Sequence, residues 1–310
     1  MLLVVAESSG SSPGRQGYKM AVSADGELCG SIGGGVMEVN LVEQSRAILS
    51  DECRSPHVKG ITLDAGLSEQ VHRKDSPNAS GMICSGKQTV VSQLLSPENI
   101  EMVFTIIEAL KNRRPDSLFI SSTEFSTRPP QEGIPNSFHF KRIADDEFAY
   151  EEKLGFKNDL YIIGGGHCAL ALSELMSKMD FHISIYDDRP ELNTIRKNDF
   201  AHDVKIIESY EPVREVIPSG WNVYVVVMTL GYRSDETVIR ALIDKEFKYF
   251  GVLGSKAKMG TLMKELRAEG FDEAKLASIR TPIGLPINSR TPDEIAVSIA
   301  AEIIAIKNAG

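Results

Sequence analysis

Two kinds of hydrophobic patterning divide this chain. From Met1 to about Leu95, short apolar runs are broken by glycine and proline. "LLVVAE", "YKMAVS", "VKGITL" and "TVVSQLL" are rich in β-branched and aliphatic residues and predict strands. Among them "VMEVNLVEQSRAILS", starting at Val36, interleaves apolar Val39, Val42, Ala47 and Leu49 with polar positions and predicts a helix. A second helix is predicted over "PENIEMVFTIIEALKNRR", with Pro97 in its first turn and Arg113 and Arg114 in its last, as helix polarity favours. The Pro-, Ser- and Thr-rich "TEFSTRPPQEGIPNS" predicts a loop, and "FAYEEKLGFKND", Phe148 to Asp159, a connection between domains.

Beyond Asp159 the pattern changes to fully apolar strands alternating with helices. Strands are predicted at "LYIIG", "HISIYD", "VKII", "NVYVVVM" and "YFGVLG", and helices over Cys168–Met179, Ser234–Glu246, Lys256–Glu269 and Pro292–Lys307. The last helix opens with "TPDE": Thr291 as N-cap, Pro292 next, and Glu294 completing a capping box. Strands apolar on both sides need helices on both faces of a parallel sheet. The fold class that follows is α/β: a C-terminal Rossmann-like, doubly wound parallel sheet preceded by an N-terminal mixed α+β domain.

Length and charge narrow the picture further. A chain of 310 residues exceeds what one hydrophobic core sustains, so two domains are expected, 1–150 and 151–310. A net charge of −9 argues against nucleic acid or an anionic membrane as partner. The longest apolar runs, such as "VYVVVM", fall far short of the ~20 residues that span a bilayer. "MLLVVAESSG" has no basic start and reads as a strand rather than a secretion signal. Cys29, Cys53, Cys84 and Cys168 show no paired spacing, which fits a thiol-reduced, cytoplasmic protein.

Two glycine triples carry the candidate chemistry. In "LYIIGGGHCALALSELMSKMDFHISIYDDRPE" an apolar strand enters Gly164-x-Gly166-x-x-Ala169, a helix follows, and a second strand ends at Asp187 beside Asp188. This is the dinucleotide fingerprint: Gly164 for the sharp turn, Gly166 for close approach of pyrophosphate, Ala169 for helix packing, Asp187 for an unphosphorylated ribose. His167 either faces the ligand phosphate or hydrogen-bonds the loop. "GSKAKMGTLMKEL" puts Lys256 and Lys258 at a helix start after a strand end, where either neutralises a phosphate or lies on a solvated face. The first triple, Gly33, Gly34 and Gly35, has no second strand ending in an acid behind it. It is either an anion-binding helix start or a turn whose own acid, Glu38, satisfies the helix end.

Three segments together resemble the XdhC/CoxI family of accessory factors that mature molybdenum hydroxylases such as xanthine dehydrogenase. They are "ESSGSSPGRQGYKMAV…GSIGGGVMEVNLVE", "GMICSGKQTV", and the run from "IIGGGHCALALSEL" through "YDDRPE" and "GVLGSKAKM" to "PIGLPINSRTPDEIAVSIAAEI". The resemblance implies an N-terminal domain handling molybdenum cofactor, molybdopterin or its cytosine dinucleotide, and a Rossmann domain that binds nucleotide. It carries Ser11, Ser12, Pro13, Gly17 and Met20, the turn Gly33–Gly35 with Glu38, and Cys84-Ser85-Gly86, in which serine replaces a family glycine. By that resemblance Cys84 is a molybdenum contact, a role thiolates suit. The implied activity is binding, protected sulfuration and insertion of the cofactor, without turnover chemistry. The implied partners are a xanthine dehydrogenase-type client, a cysteine desulfurase and a second copy in a homodimer. The family's Thr-His-Asp-His element reads "TLGYRSD" here, Thr229 to Asp235, with no histidine. The alternative reading is an NAD(P)-dependent oxidoreductase that uses the Rossmann domain.

Overall fold

A computed structural model of the chain describes residues 1–50, 65–71, 86–111, 116–129, 138–145 and 147–309. The chain divides into two compact units, Met1–Gly155 and Phe156–Gly310. The predicted strand "VKGITL", the arginines Arg113 and Arg114, and Cys84 lie outside the described residues.

The first unit is built on two antiparallel sheets. In chain order its elements are β1 (Leu2–Gly10), β2 (Lys19–Val22), β3 (Leu28–Gly30), α1 (Gly35–Leu49), β4 (Ala65–Val71) and β5 (Gly86–Gln93). They continue with α2 (Ile100–Lys111), β6 (Ser117–Ser121), β7 (Phe125–Arg128), β8 (Phe138–Arg142) and β9 (Phe148–Lys153). The sheet orders are β3-β2-β1-β5-β4 and β7-β6-β9-β8. β1 is central in the first because Leu3 and Val5 pack on one side and Val4 and Ala6 on the other, all fully buried. Two sequence expectations fail here. Phe125–Arg128, expected as loop, pairs with β6, since Phe125 and Thr127 supply the β-prone positions the proline-rich tail obscured. Phe148–Lys153, expected as a connection, is β9, with Phe148 and Tyr150 buried beneath its polar residues.

The second unit has β10 (Asn158–Ile163), α3 (His167–Met176), β11 (Phe181–Asp187), α4 (Asn193–Arg196), β12 (Asp203–Ile206) and α5 (Val213–Val216). After these come β13 (Gly220–Val227), α6 (Tyr232–Leu242), β14 (Phe247–Val252), α7 (Lys256–Ala268), α8 (Glu273–Ser278) and α9 (Pro292–Asn308). The sheet is fully parallel in the order β12-β11-β10-β13-β14, which is the Rossmann order 3-2-1-4-5. Leu160 and Ile162 of β10 face one core with α3 and α9; Tyr161 and Ile163 face the other with α6 and α7. The capping box of α9 is present, with Glu294 N–H donating to Thr291 Oγ1 at 3.2 Å and Thr291 N–H donating to Glu294 at 3.1 Å. Among the described residues no helix is long and apolar enough to cross a membrane.

The α3 face on β10 is a test of this packing. Leu172 is fully buried among Ile162, Ile183 and Ile299. Leu172→Ala removes three carbons from a filled core and is expected to cost about 2–5 kcal/mol in urea unfolding. Substitution of exposed Leu230 should cost under about 0.5 kcal/mol.

Candidate functional site

In a doubly wound sheet the ligand crevice opens where strand order reverses, here between the C-terminal ends of β10 and β13. Gly164 closes β10 with φ +108, and a Cβ there would stand 2.3 Å from the Met228 carbonyl oxygen, just past the end of β13. Only glycine fits. Gly165 donates its N–H to Asp187 Oδ2 at 2.6 Å and accepts from Thr194 Oγ1 at 2.5 Å, while Ile195 fills the space a side chain at 165 would need.

Gly166 is different. Its φ of −71 suits any residue, and a Cβ there would meet nothing within 4 Å. Across the crevice Gly231, with φ −148, is equally free of a steric reason to be glycine. Both residues are N-caps, of α3 and α6, and neither helix end has a side-chain cap. By contrast α7 is capped by Ser255 and α9 by Thr291. The two helices that start at the crevice therefore leave first-turn N–H groups without side-chain acceptors, and leave open the volume a Cβ would fill. An anionic group of a ligand fits both properties.

Asp187, expected at a ribose, is fully buried. Besides Gly165 N–H, its carboxylate accepts from Arg189 N–H at 2.8 Å, Arg189 Nε at 2.9 Å and Arg189 Nη2 at 2.7 Å. Burial pushes its pKa up, but these donors outweigh burial and hold the carboxyl below the usual range. Tyr210 joins from α5's approach, its hydroxyl donating to Asp188 at 3.0 Å, and burial raises its pKa. His167 is exposed at the start of α3.

Lys258, expected to meet a phosphate, has its ammonium 2.8 Å from Asp235 Oδ2. Asp235 is 1% exposed, and its Oδ1 accepts from Thr229 Oγ1 at 2.6 Å. The Thr229–Asp235–Lys258 chain thus lines the β13 and β14 ends, joining the "TLGYRSD" segment to the start of α7. Sequence reasoning missed Asp235. Its position in the first turn of α6 reads as an ordinary helix-start acid.

In the first unit the glycine triple has a carboxylate of its own. Glu38 Oε2 accepts from Ser31 Oγ at 2.7 Å, Ile32 N–H at 2.8 Å and Gly34 N–H at 3.0 Å. Burial works against ionisation of Glu38, yet the bonds from Ser31, Ile32, Gly34 and Gly33 prevail and lower its pKa. Gly33, at φ +124, brings this turn against the Ser11–Gly14 loop, where a Cβ would lie 2.3 Å from Gly14 N. Buried Gln88 staples the two. Its Oε1 accepts from Ser12 Oγ at 2.8 Å and Gly14 N–H at 3.2 Å, and its Nε2 donates to the Ile32 carbonyl at 2.9 Å. Gly86 also abuts Ser12, within 2.5 Å of its nitrogen for an added Cβ. Serine motif, glycine turn and the start of β5 therefore converge on one backbone-lined locus. Gln88 was invisible in sequence because nothing in "GKQTV" distinguishes a buried amide from an exposed one. Among the described residues no group of three or more His, Cys, Asp and Glu side chains could hold a metal ion.

The glycines give a paired test. Gly164→Ala should lower stability by more than about 2 kcal/mol, and Gly166→Ala by less than about 0.5, in thermal unfolding. Glu38 provides a second, through pH. Because its folded pKa is depressed, its stabilisation is complete above the ordinary value of 4.5 and vanishes as pH falls through the lower folded value. Glu38→Gln should therefore be less stable than the parent by about 0.3–1 kcal/mol at pH 7, with the gap closing as pH falls from 4.5 through the lower folded value.

Residues 160–303 match the XdhC Rossmann domain, and residues 1–58 match the XdhC and CoxI family. An uncharacterised Escherichia coli protein, YqeB, is 24% identical over 98% of this chain, which spans 43% of that protein's length. A Bacillus subtilis protein described as a probable xanthine dehydrogenase subunit is 22% identical, with 98% of this chain and 92% of that one aligned. A Bacillus halodurans crystal structure described as a xanthine dehydrogenase superposes with a TM-score of 0.72 at 20% identity, covering 99% of this chain and 90% of that one.

Proposed function

This chain belongs to the XdhC and CoxI family, and on that footing we propose that it binds a molybdopterin cofactor and serves its sulfuration and insertion into a xanthine dehydrogenase-type client. A role related to xanthine dehydrogenase maturation follows from the family and from the Bacillus subtilis relative, aligned over nearly its whole length. The finer reading rests on one observation: Gly166 and Gly231 are glycines the fold does not require, set at two helix starts without side-chain caps. That arrangement suits the diphosphate of a pterin dinucleotide or of NAD(P), and bulky residues there would exclude it.

In this reading the N–H groups at the start of α3 hold the diphosphate. Lys258, oriented by Asp235, meets a further anionic group at the β14 side. Gly33, Gly34, Gly35 and Glu38 belong to the pterin-handling unit together with the Ser11–Gly14 loop. Cys84 contacts the molybdenum, as the family resemblance implies. A cysteine desulfurase delivers sulfur while the cofactor is held, and a second copy of the chain completes a homodimer.

Mass spectrometry and absorbance of protein purified from a host that makes molybdopterin test the proposal directly. Pterin should accompany the protein, and Gly166→Val should reduce its nucleotide-bearing form by at least about tenfold, a loss of 1.4 kcal/mol. Cys84→Ser should lower the bound molybdenum while leaving the unfolding temperature unchanged. Co-purification of NAD(P) without pterin would support the oxidoreductase reading instead. A protein free of both ligands, and unable to take either up in vitro, would overturn the cofactor-binding role.

A further inference from the structure

We propose that a cavity beside the first half of β14 is a second ligand site, for a small organic phosphate with an apolar body. The cavity holds about 260 Å³ and is lined by Lys245, Lys248, Lys275 and Arg280, with Phe247 and Phe250 forming an apolar wall. No acid lines it, although the chain has 43 acidic against 34 basic residues. It lies along β14, the edge strand of the sheet, whereas the glycine-loop crevice opens between β10 and β13, on the far side of β13.

The four cations are not equivalent. Lys275 is paired, its Nζ 2.8 Å from Asp244, which also faces Arg214 at 3.7 Å. Lys245 donates to the Ile217 carbonyl at 2.5 Å, so its position is fixed but its charge is not neutralised. Lys248 and the Arg280 guanidinium form no ion pair among the described residues. The nearby acid Glu302 is occupied elsewhere, accepting from the Tyr249 hydroxyl at 2.6 Å and Gly284 N–H at 2.9 Å. With no carboxylate in its lining and only Lys275 of its four cations ion-paired among the described residues, the cavity carries an excess of positive charge on a chain of net charge −9. A phosphate dianion matches that excess.

Arg280 is held by its backbone. Its N–H donates to the Phe250 carbonyl at 2.8 Å and its carbonyl accepts from Val252 N–H at 2.9 Å, pinning it against β14 and leaving the guanidinium fork to bind. Phe247 and Phe250 meet edge to face with centroids 5.6 Å apart, a rigid surface for an aromatic or aliphatic body. Charge on one side and an apolar wall on the other select a ligand with both parts.

Titration of the full chain with phenyl phosphate, by calorimetry or ligand-observed NMR, tests the site beside parallel titrations with inorganic phosphate and phenol. Phenyl phosphate should bind at least about tenfold tighter than either fragment and weaken as salt rises. Lys248→Ala with Arg280→Ala should reduce that affinity at least tenfold without moving the unfolding temperature, because neither side chain bonds the fold. Gly166→Val should leave it unchanged, which separates this site from the crevice. Absence of binding at millimolar ligand, equal affinity for inorganic phosphate, or loss of binding in Gly166→Val but not in the double variant would each overturn the proposal.

Discussion

The second unit depends on one close approach. The end of β10 passes so near the Met228 carbonyl that residue 164 has no room for a Cβ, and its φ of +108 is a conformation L side chains rarely adopt. Two neighbouring parallel strands can then end side by side with their following helices turned to opposite faces of the sheet. The crevice between them exists because that turn is tight. With a bulkier residue at 164 the loop would shift away from β13, and the amides of Gly165 and Gly166 would move with it. Asp187, Thr194 and Ile195 secure the same loop from the other side, one bonding the Gly165 N–H, one its carbonyl, and one filling the space beneath it.

The two glycine triples look alike in sequence and behave differently. In the first, every glycine has positive φ, and a single carboxylate at Glu38 gathers the turn's donors. The donors of the turn itself are satisfied from within, and what the turn offers outward is backbone packed against the serine loop. In the second, positive φ is confined to Gly164, a carboxylate engages only the middle residue, and the last glycine is left sterically free. Three consecutive glycines state that backbone comes close to something. They do not state whether that something is another loop, an internal acid or a ligand.

This difference marks how far the sequence could be read. The parallel sheet was legible because β10, β11 and β13 are apolar on both sides, and a run such as "VYVVVM" has few other places to go. The glycine run after β10 was legible as a tight turn because Gly164 sits at a positive φ with no room for a Cβ. The rotation of α1 was not legible: the apolar positions suggested a face through Val39, yet Met37, Leu41, Val42 and Ser45 are buried and Val39 is 53% exposed. Apolar residues lie on two faces of this helix, and the burial of Met37, Leu41 and Val42, with Glu38 bonding back to the turn, marks the one the fold uses. Likewise Asp187 was read by its spacing as a ribose ligand, while the Arg189 two residues on, which takes both of its oxygens, carries no pattern at all. Long-range partners such as Gln88 with Ser12, or Asp235 with Lys258, are products of topology and leave no local trace.

The bridge between Gly251 and Arg280 has a consequence for the sheet as a whole. β14 is an outermost strand, and an unprotected outer strand is a template for pairing with another chain. Here the upper half of that edge is already occupied by the chain's own Arg280, and the lower half carries Lys248, with Lys245 before the strand and Lys275 on α8 lining the cavity beside it. A strand from a second molecule approaching there would meet taken hydrogen bonds or like charge. The opposite edge, β12, is only four residues long and carries a lysine at its centre. Both margins are thus poor surfaces for continuing the sheet, and a domain whose interior strands are uniformly apolar is kept from growing into an aggregate through them.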